Sequence, residues 1–194
     1  MNMLLEKKIT LLDPSGWDDR NDAYFLDAYR KKVSAKHVYA LCFTEAQQKY
    51  HHWSVFASGA DGVCISFNKS KLIRSVKDAG SFEFKQVKYM SATKAERELP
   101  FTNDDLKFTK HLRYSDEKEW RLLYTDYKGV TSNPTIPFTF ESIYRITLSP
   151  WLAKPLVPSL RKVIKSLPEC RLLSVRRSTL IDYANWKTIA DKSV

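Results

Sequence analysis

The sequence predicts an α+β fold in a single compact domain over residues 1–194, with a mixed central sheet of short strands and peripheral helices. The 194 residues are 43% hydrophobic and include only five glycines, so the chain can bury a full core and is neither disordered nor fibrous. Runs of β-forming residues alternate with helical patterns at spacings too irregular for a repeated strand–helix–strand winding. No linker, internal repeat or low-complexity tract divides the chain, which favours one domain.

The chain opens with a predicted strand, a turn and a helix. Residues 9–12 are apolar and β-forming, and the turn-forming residues 13–16 end the strand. Asp18 or Asp19 then caps a helix that extends to about Lys32.

The next segments predict two buried strands with a short helix between them. Residues 37–43 are continuously apolar in their middle, which predicts a central strand covered on both faces. Residues 50–57 form a helix ended by two glycines, and residues 63–67 form the second buried strand. Residues 82–89 alternate apolar and charged side chains with one change of phase, which predicts a strand with a bulge. Residues 91–111 are polar and predict two helical pieces divided by a proline.

The remaining elements continue the mixed order. Leucine, valine and isoleucine recur at helical spacing in residues 156–167, with the basic side chains turned outward. The other predicted elements are strands over residues 119–124, 143–148 and 171–175, a turn over residues 131–134 and a last helix over residues 178–190.

Charge is distributed unevenly along the chain. The net charge is +10, and residues 154–194 hold nine basic and three acidic residues. A field of this sign favours a nucleic acid or another acidic partner, and affinity gained in this way falls steeply with salt.

The sequence predicts a cytoplasmic protein without membrane association. The longest apolar runs, such as residues 38–43, are far shorter than the roughly 20 residues that cross a bilayer as a helix. The first residues become charged before the hydrophobic region of a signal peptide can form. Cys42, Cys64 and Cys170 have neither disulfide-framework nor zinc spacing, so we expect mostly buried thiols and no structural metal.

Three motifs follow one another in a distinctive order. The first is Leu-Leu-Asp-Pro and Trp-Asp-Asp-Arg-Asn-Asp within residues 11–22. The second runs from Leu-Cys-Phe-Thr-Glu through His-Trp to Gly-Val-Cys-Ile-Ser-Phe in residues 41–67, and the third is Tyr-Ser-Asp-Glu-Lys-Glu-Trp-Arg at residues 114–121. Together they resemble the bacterial family catalogued as domain of unknown function 2971. The resemblance covers most of the chain but implies no particular chemistry, because the function of that family is unknown.

A looser similarity is to the ADP-ribosyltransferases, whose last essential strand carries two glutamates one residue apart. Glu117 and Glu119 have this spacing, and side chains at i and i+2 of an extended segment share one face. The similarity implies that Glu119 stabilises the positive charge that develops as nicotinamide leaves NAD, and that Glu117 orients or deprotonates the acceptor. The alternative is an exposed, charge-paired strand end, because Arg121 falls on the same face and Arg113 and Lys118 are near in sequence.

Residues 50–57 provide further candidates on a predicted helix. His52 lies at the edge of its apolar face and could act as a general base, and Trp53 could stack on a base or nicotinamide. The alternative is an ordinary boundary histidine and a core tryptophan. His51 and His52 project about 100° apart on a helix, which disfavours a shared metal. The predicted apolar face consists of Tyr50, Trp53, Phe56 and Ala57.

Two polar segments are candidate ligand sites. Helix capping explains Asp18 or Asp19 in the turn after the first strand but leaves Arg20 and Asn21 as candidate nucleotide-binding residues. Residues 176–179 combine two arginines with the predicted start of the last helix, a pattern that favours phosphate. The alternative for residues 176–179 is a solvated turn. The candidate nucleic-acid-binding residues are Arg176, Arg177, Lys162 and Lys165.

The leading hypothesis from the sequence is a nucleotide-utilising transferase that resembles the ADP-ribosyltransferases and acts on nucleic acid, with NAD as its substrate. Glu119, Glu117 and His52 are the predicted catalytic residues, and Arg20, Asn21 and Trp53 are the predicted nucleotide-binding residues. One alternative is a non-catalytic module that binds nucleic acid or an acidic partner. A second alternative is a Mg²⁺-dependent nuclease, with Asp116, Glu117 and Glu119 as oxygen ligands. A role in phage defence or as a toxin is a further expectation.

Overall fold

The structure is a computed structural model and describes residues 2–57, 59–129 and 132–193. In chain order the helices are α1 (Asn2–Glu6), α2 (Arg20–Lys32), α3 (Tyr50–Phe56), α4 (Lys69–Asp78), α5 (Ala92–Arg97), α6 (Asn103–Phe108), α7 (Val157–Ser166) and α8 (Ala184–Asp191). The strands are β1 (Lys8–Thr10), β2 (His37–Thr44), β3 (Val63–Phe67), β4 (Phe82–Gln86), β5 (Lys88–Met90), β6 (Thr109–His111), β7 (Glu119–Asp126), β8 (Thr135–Pro137), β9 (Ile143–Leu148) and β10 (Ser174–Arg177).

The α+β prediction is confirmed, and the strands of the described residues are distributed over four small sheets rather than one central sheet. The chain divides into two compact units. Unit 1 comprises Met1–Ala46 and Ile73–Phe138, and unit 2 comprises Gln47–Leu72 and Thr139–Val194. A single domain over residues 1–194 stays a prediction.

Unit 1 is built on the antiparallel sheet β2-β7-β4. Strand β7, not β2, is central in this sheet, and the far end of β2 is partly exposed, so the prediction of a doubly covered central strand at residues 37–43 is wrong. The smaller sheets of this unit pair β1 with β8 and β5 with β6. The predicted bulge at residues 82–89 is instead a break between β4 and β5 at the buried Val87.

Helix α2 packs its apolar face on this sheet. The helix begins where Asp19 Oδ1 accepts the backbone N–H groups of Asn21 and Asp22, which confirms the predicted cap. Three basic residues in its last turn complement the helix dipole. Leu26 and Tyr29 are buried in one cluster with Leu123 of β7, and the Tyr29 hydroxyl lies 3.0 Å from Thr125 Oγ1.

This packing sets the register between α2 and β7. Asp22 precedes Leu26 by one turn and therefore lies on the same face of the helix. Arg121 precedes Leu123 by two residues and lies on the same face of the strand. The packing of Leu26 and Leu123 in one cluster thus brings Asp22 to Arg121, from positions 99 residues apart in the sequence.

Unit 2 contains the mixed sheet β10-β9-β3, in which β9 pairs parallel with β10 and antiparallel with β3. Strand β3 is at the edge and Val63 is exposed, so the prediction of a second buried strand is wrong. Helix α8 has no buried residue, and Ile164 is the one buried residue of α7. The apolar positions of these two helices are therefore largely exposed.

The last helix begins later than predicted. Arg176 and Arg177 lie within β10, and the Ser178 backbone N–H donates to Leu148 O, which extends the pairing with β9. Ser178 Oγ then accepts the Leu180 N–H in a turn, and the helix begins at Ala184. The predicted arginine pair at a helix start is therefore wrong.

Helices α1 and α4 have no counterpart in the prediction. Cys170 is buried and Cys64 is half-buried, but Cys42 is exposed, so the prediction of mostly buried thiols holds in part. Thr131, in the predicted turn at residues 131–134, lies outside the described residues. Every helix in the described ranges is too short or too polar to cross a membrane.

Candidate functional site

Arg121 is a fully buried guanidinium in unit 1, and three hydrogen bonds hold it. Its Nε donates to Glu119 Oε1 at 2.8 Å, its Nη2 to Asp22 Oδ2 at 2.6 Å and its Nη1 to Lys107 O at 2.8 Å. The ring of Trp17 lies 5.6 Å from the guanidinium carbon. A buried charge needs such partners, so Arg121 fixes the positions of both carboxylates.

Lys110 brings further carboxylates to the same place. Its Nζ lies 2.7 Å from Glu117 Oε2 and 3.3 Å from Glu119 Oε2. Asp22 Oδ2 and Asp19 Oδ2 lie farther away, at 3.8 and 3.9 Å. Burial alone would lower the pKa of Lys110, but Glu119, Glu117 and Asp22 raise it, so the ammonium stays charged.

We call Asp19, Asp22, Glu117 and Glu119 the carboxylate cluster. Burial raises the pKa of Asp22 to about 6, with a further contribution from the charge of Glu119, and Arg121 and Lys110 oppose this rise. Burial works in the same direction on Glu119, but Arg121 and Lys110 outweigh it and lower the pKa of Glu119. Glu119 is therefore ionised at neutral pH, and Asp22 can exchange a proton close to neutral pH.

Three polar atoms next to these ion pairs are buried and make no hydrogen bond among the residues that the structure describes. They are Asp19 Oδ2, Asp22 Oδ1 and Thr109 Oγ1. Buried polar atoms in proteins are almost always hydrogen-bonded, so these three atoms make their residues candidates for a binding site.

These atoms belong to residues that line a cavity of about 640 Å³, which we call the ligand pocket. This volume is in the range of sites for small organic molecules. Its walls are mainly apolar. The lining residues are Asp19, Asn21, Asp22, Phe25, Met90, Ser91, Ala92, Ala95, Glu96, Leu99, Phe101, Leu106, Thr109, Lys110, His111, Arg113 and Tyr114.

Glu117 and Glu119 meet, but not in the predicted way. Glu117 ends the 3₁₀ helix Leu112–Glu117, Lys118 has a left-handed backbone with φ 46°, and β7 begins at Glu119. The prediction of one extended segment is therefore wrong, and the two carboxylates converge because both bind Lys110. The predicted pairing of Glu119 with Arg121 is confirmed, but Glu119 is only 2% exposed, so the alternative of an exposed strand end is wrong.

The other predicted residues are divided between the two units. Asn21 lines the ligand pocket, whereas the adjacent Arg20 is exposed and is not among the described residues that line it. His52 and Trp53 are buried on α3 in unit 2, and Trp53 Nε1 donates to Gln48 Oε1 at 3.2 Å. Tyr50 and Phe56 are exposed, so the predicted apolar face of this helix is wrong in two of its members.

The predicted nucleic-acid-binding residues all lie in unit 2. Lys162 and Lys165 on α7 and Arg176 on β10 are exposed. Arg177 is half-buried, and its guanidinium donates to the carbonyl groups of Pro150 and Leu152. These two bonds engage Arg177 inside the unit.

Sequence reasoning did not identify Asp22, Lys110 or Thr109 as site residues. For Asp22 a signal was present, because it lies one turn before Leu26 on the apolar face of the predicted helix. A carboxylate on an apolar helix face needs a buried partner or a ligand. For Lys110 and Thr109 the sequence offers no comparable signal.

Comparison with known proteins identifies one related family. Residues 52–122 match the model of a family described as "Protein of unknown function (DUF2971)". The match covers less than half of the chain and contains Lys110, Glu117, Glu119 and Arg121. Over this segment the chain is similar to DUF2971 proteins. No curated protein and no solved structure matches the chain, so the likeness to ADP-ribosyltransferases rests on the spacing of two glutamates.

Proposed function

We propose that unit 1 is a group-transfer enzyme that acts on the ribosyl group of a nucleotide, with Asp22 as its catalytic carboxylate. The observation that carries this proposal is Asp22 Oδ1, a buried oxygen without a hydrogen bond among the described residues, on a residue that lines the ligand pocket. The sequence-based hypothesis gave this role to Glu119. The pocket geometry favours Asp22, because Glu119 binds Arg121 and Lys110 through its two oxygens and is not among the described residues that line the pocket.

The reaction would use Asp22 in two ways. As the bond between C1′ of the ribose and the leaving base breaks, both bonding electrons go to the base nitrogen and positive charge develops on the sugar. The Asp22 carboxylate stabilises this charge in a pocket with mainly apolar walls. An acceptor hydroxyl then forms the new bond at C1′ and gives its proton to Asp22, whose pKa of about 6 suits a general base near neutral pH.

The residues around Asp22 have positioning and binding roles in this proposal. Glu119 orients Arg121, and Arg121 holds Asp22 Oδ2, whereas Oδ1 has no hydrogen bond among the described residues. Asn21 and the Thr109 hydroxyl are suited to hydrogen bonds with ribose hydroxyls. Phe25 and Tyr114 provide aromatic surface for a base.

The test is incubation of the full chain with NAD and nucleic acid, with nicotinamide release and transfer of label from the adenylate group as readouts. Asp22→Asn should lower kcat by about 10²–10⁴ with a smaller effect on KM, because general-base and electrostatic catalysis are lost. Asp18→Asn, an exposed neighbour outside the described lining, is the matched control and should keep full activity. Nicotinamide release that Asp22→Asn leaves unchanged, or no release with any acceptor, would contradict the proposal.

The geometry supports the Mg²⁺-dependent nuclease less well. Lys110 Nζ occupies the space between Glu117 and Glu119, and Arg121 binds the other oxygen of Glu119. A Mg²⁺ ion at these two carboxylates would have to displace an ammonium group with hydrogen bonds to both.

A second candidate function is the binding of nucleic acid or an acidic partner by unit 2. The observation that favours it is the exposure of Lys162, Lys165 and Arg176 in the segment that holds +6 of the net charge. This function is compatible with the first, because nucleic acid was the expected acceptor.

A further inference from the structure

We infer that the ligand pocket of unit 1 takes an organic cation, a singly charged nitrogen group on an apolar or aromatic body. The inference rests on the proposed function in one respect, because it names the chemical class of ligand for the same site. It is argued from charge balance, unpaired atoms and wall chemistry.

The carboxylate cluster has more negative than positive side chains. Its four acidic side chains lie within 4 Å of only two cations among the described residues, Lys110 and Arg121. An uncompensated charge costs most free energy where it is buried, and here Asp22 is 4% exposed and Glu119 is 2% exposed. A positively charged ligand would reduce this deficit of positive charge.

Two of the atoms without a hydrogen bond are carboxylate oxygens. Asp19 Oδ2 and Asp22 Oδ1 are acceptors when ionised, and what they lack among the described residues is a donor. Lys110 Nζ does not supply it, because its 3.9 Å separation from Asp19 Oδ2 is too long for a hydrogen bond. A ligand with N–H groups on a cationic carbon would supply donors and charge together.

The walls of the ligand pocket favour an organic cation over a metal ion. Phe25 and Phe101 lie edge to face at 6.0 Å, and Met90 and Leu106 extend the apolar lining. The unpaired oxygens could also bind a divalent ion, but such an ion retains several waters, and the mainly apolar walls do not hold them. An aromatic cation can place its body on the walls and its charge near the carboxylates.

Arg113 and His111 also line the pocket, and the guanidinium of Arg113 is positively charged. His111 Nδ1 accepts the Arg113 backbone N–H at 3.3 Å, and Arg113 is exposed. Because solvent screens an exposed guanidinium, Arg113 offsets the buried deficit only weakly. An anion that bound through these two residues would be a different ligand class, and the experiment below distinguishes it.

The experiment is a calorimetric titration of the full chain at pH 7.5 with benzamidine, an aromatic cation, and with benzamide, its neutral isostere. We expect benzamidine to bind at least about tenfold more tightly, because a unit charge near an ionised carboxylate is worth more than one factor of ten even when partly screened. Mg²⁺ and inorganic phosphate are titrated as the metal and anion arms.

The decisive variant is Asp19→Asn, which removes one negative charge but keeps the side-chain oxygen that caps α2. We expect it to weaken benzamidine binding about tenfold and to leave benzamide binding unchanged. Asp18→Asn is the matched control and should change neither. Asp22→Asn should weaken benzamidine binding further, and its circular dichroism checks that the unit is folded.

Three results would overturn the inference. They are equal binding of benzamidine and benzamide, benzamidine binding that Asp19→Asn leaves unchanged, and displacement of bound benzamidine by Mg²⁺ or phosphate that binds more tightly. Failure of the proposed function gives a different result. Cation-selective binding without ribosyl transfer would contradict the proposed enzymatic function and support the inference. Ribosyl transfer without charge-selective binding would contradict only the inference.

Discussion

Arg121 organises the carboxylate cluster more than either glutamate does. Its guanidinium binds Glu119 and Asp22 through different nitrogens and is anchored by a backbone carbonyl. Both acidic partners are almost completely buried, so each depends on Arg121 for most of its compensation. In the sequence, pairing with Arg121 was the alternative to a catalytic role for Glu119; in the structure, Arg121 is part of the site.

This arrangement predicts a large effect of removing the guanidinium. Arg121→Met keeps much of the side-chain volume but leaves Glu119 and Asp22 without their strongest partner. We expect the free energy of unfolding to fall by about 3–5 kcal/mol in urea titrations. Arg113→Met is the matched control, because Arg113 is exposed, and should change it by less than about 0.5 kcal/mol. A loss below about 1 kcal/mol for Arg121→Met would show that the buried pairs contribute little.

At the residue scale, the sequence predicted the contacts that are local. The pairing of Glu119 with Arg121 follows from i and i+2 on a strand, and the cap at Asp19 follows from helix signals. The contact of Asp22 with Arg121 joins residues 99 positions apart and depends on how α2 packs on β7. No local pattern contains that information.

At the scale of elements, most strands and helices were predicted from periodicity, and the misses have physical reasons. Helix α4 has only Leu72 and Val76 fully buried, which is too short an apolar stripe to identify among charged residues. The last helix was placed too early because Ser178, a good N-cap residue, forms a turn in this chain. Glu117 was placed on a strand because spacing alone does not reveal the left-handed Lys118.

The turn between α3 and β3 in unit 2 predicts a test of local packing. A Cβ added at Gly62 would lie 2.4 Å from the Cβ of Ala57, closer than two carbon atoms can approach. Gly62→Ala should therefore lower the free energy of unfolding by about 1–3 kcal/mol. Gly16→Ala is the control, because its Cβ would meet nothing within 4 Å, and thermal unfolding should barely change. Equal melting temperatures for the two variants would contradict this packing.

At the scale of the whole molecule, the sequence predicted the α+β class from the irregular order of its elements and the basic segment from its charge distribution. It did not predict four small sheets, because strand order depends on pairs such as β2 with β7 and β3 with β9, which are distant in sequence. The same limit applies to the ligand pocket, whose lining comes from α2, β5, α5, α6, β6 and the segment after β6.

The uneven charge predicts salt-dependent binding of nucleic acid by the full chain. Fluorescence anisotropy with single-stranded DNA should show an affinity that falls linearly with salt on a logarithmic plot. Lys162→Gln combined with Lys165→Gln should reduce the magnitude of that slope by about 1–2, since each phosphate contact contributes about 0.7 for single strands. Lys77→Gln with Lys128→Gln removes the same charge outside residues 154–194 and is the control. Equal slopes for the two double variants would exclude α7 as the contact surface.

The central claim is that Asp22 is a buried carboxylate with one oxygen available to a ligand in the pocket. Its most direct test is a ¹³C NMR titration of the Asp22 carboxyl group, assigned with Asp22→Asn, in the free protein and with saturating benzamidine. The account predicts a pKa of about 6 in the free protein, raised chiefly by burial. The pKa should fall when benzamidine binds, because a cation favours the ionised form. A pKa near the usual 3.8 that benzamidine does not change would contradict the account.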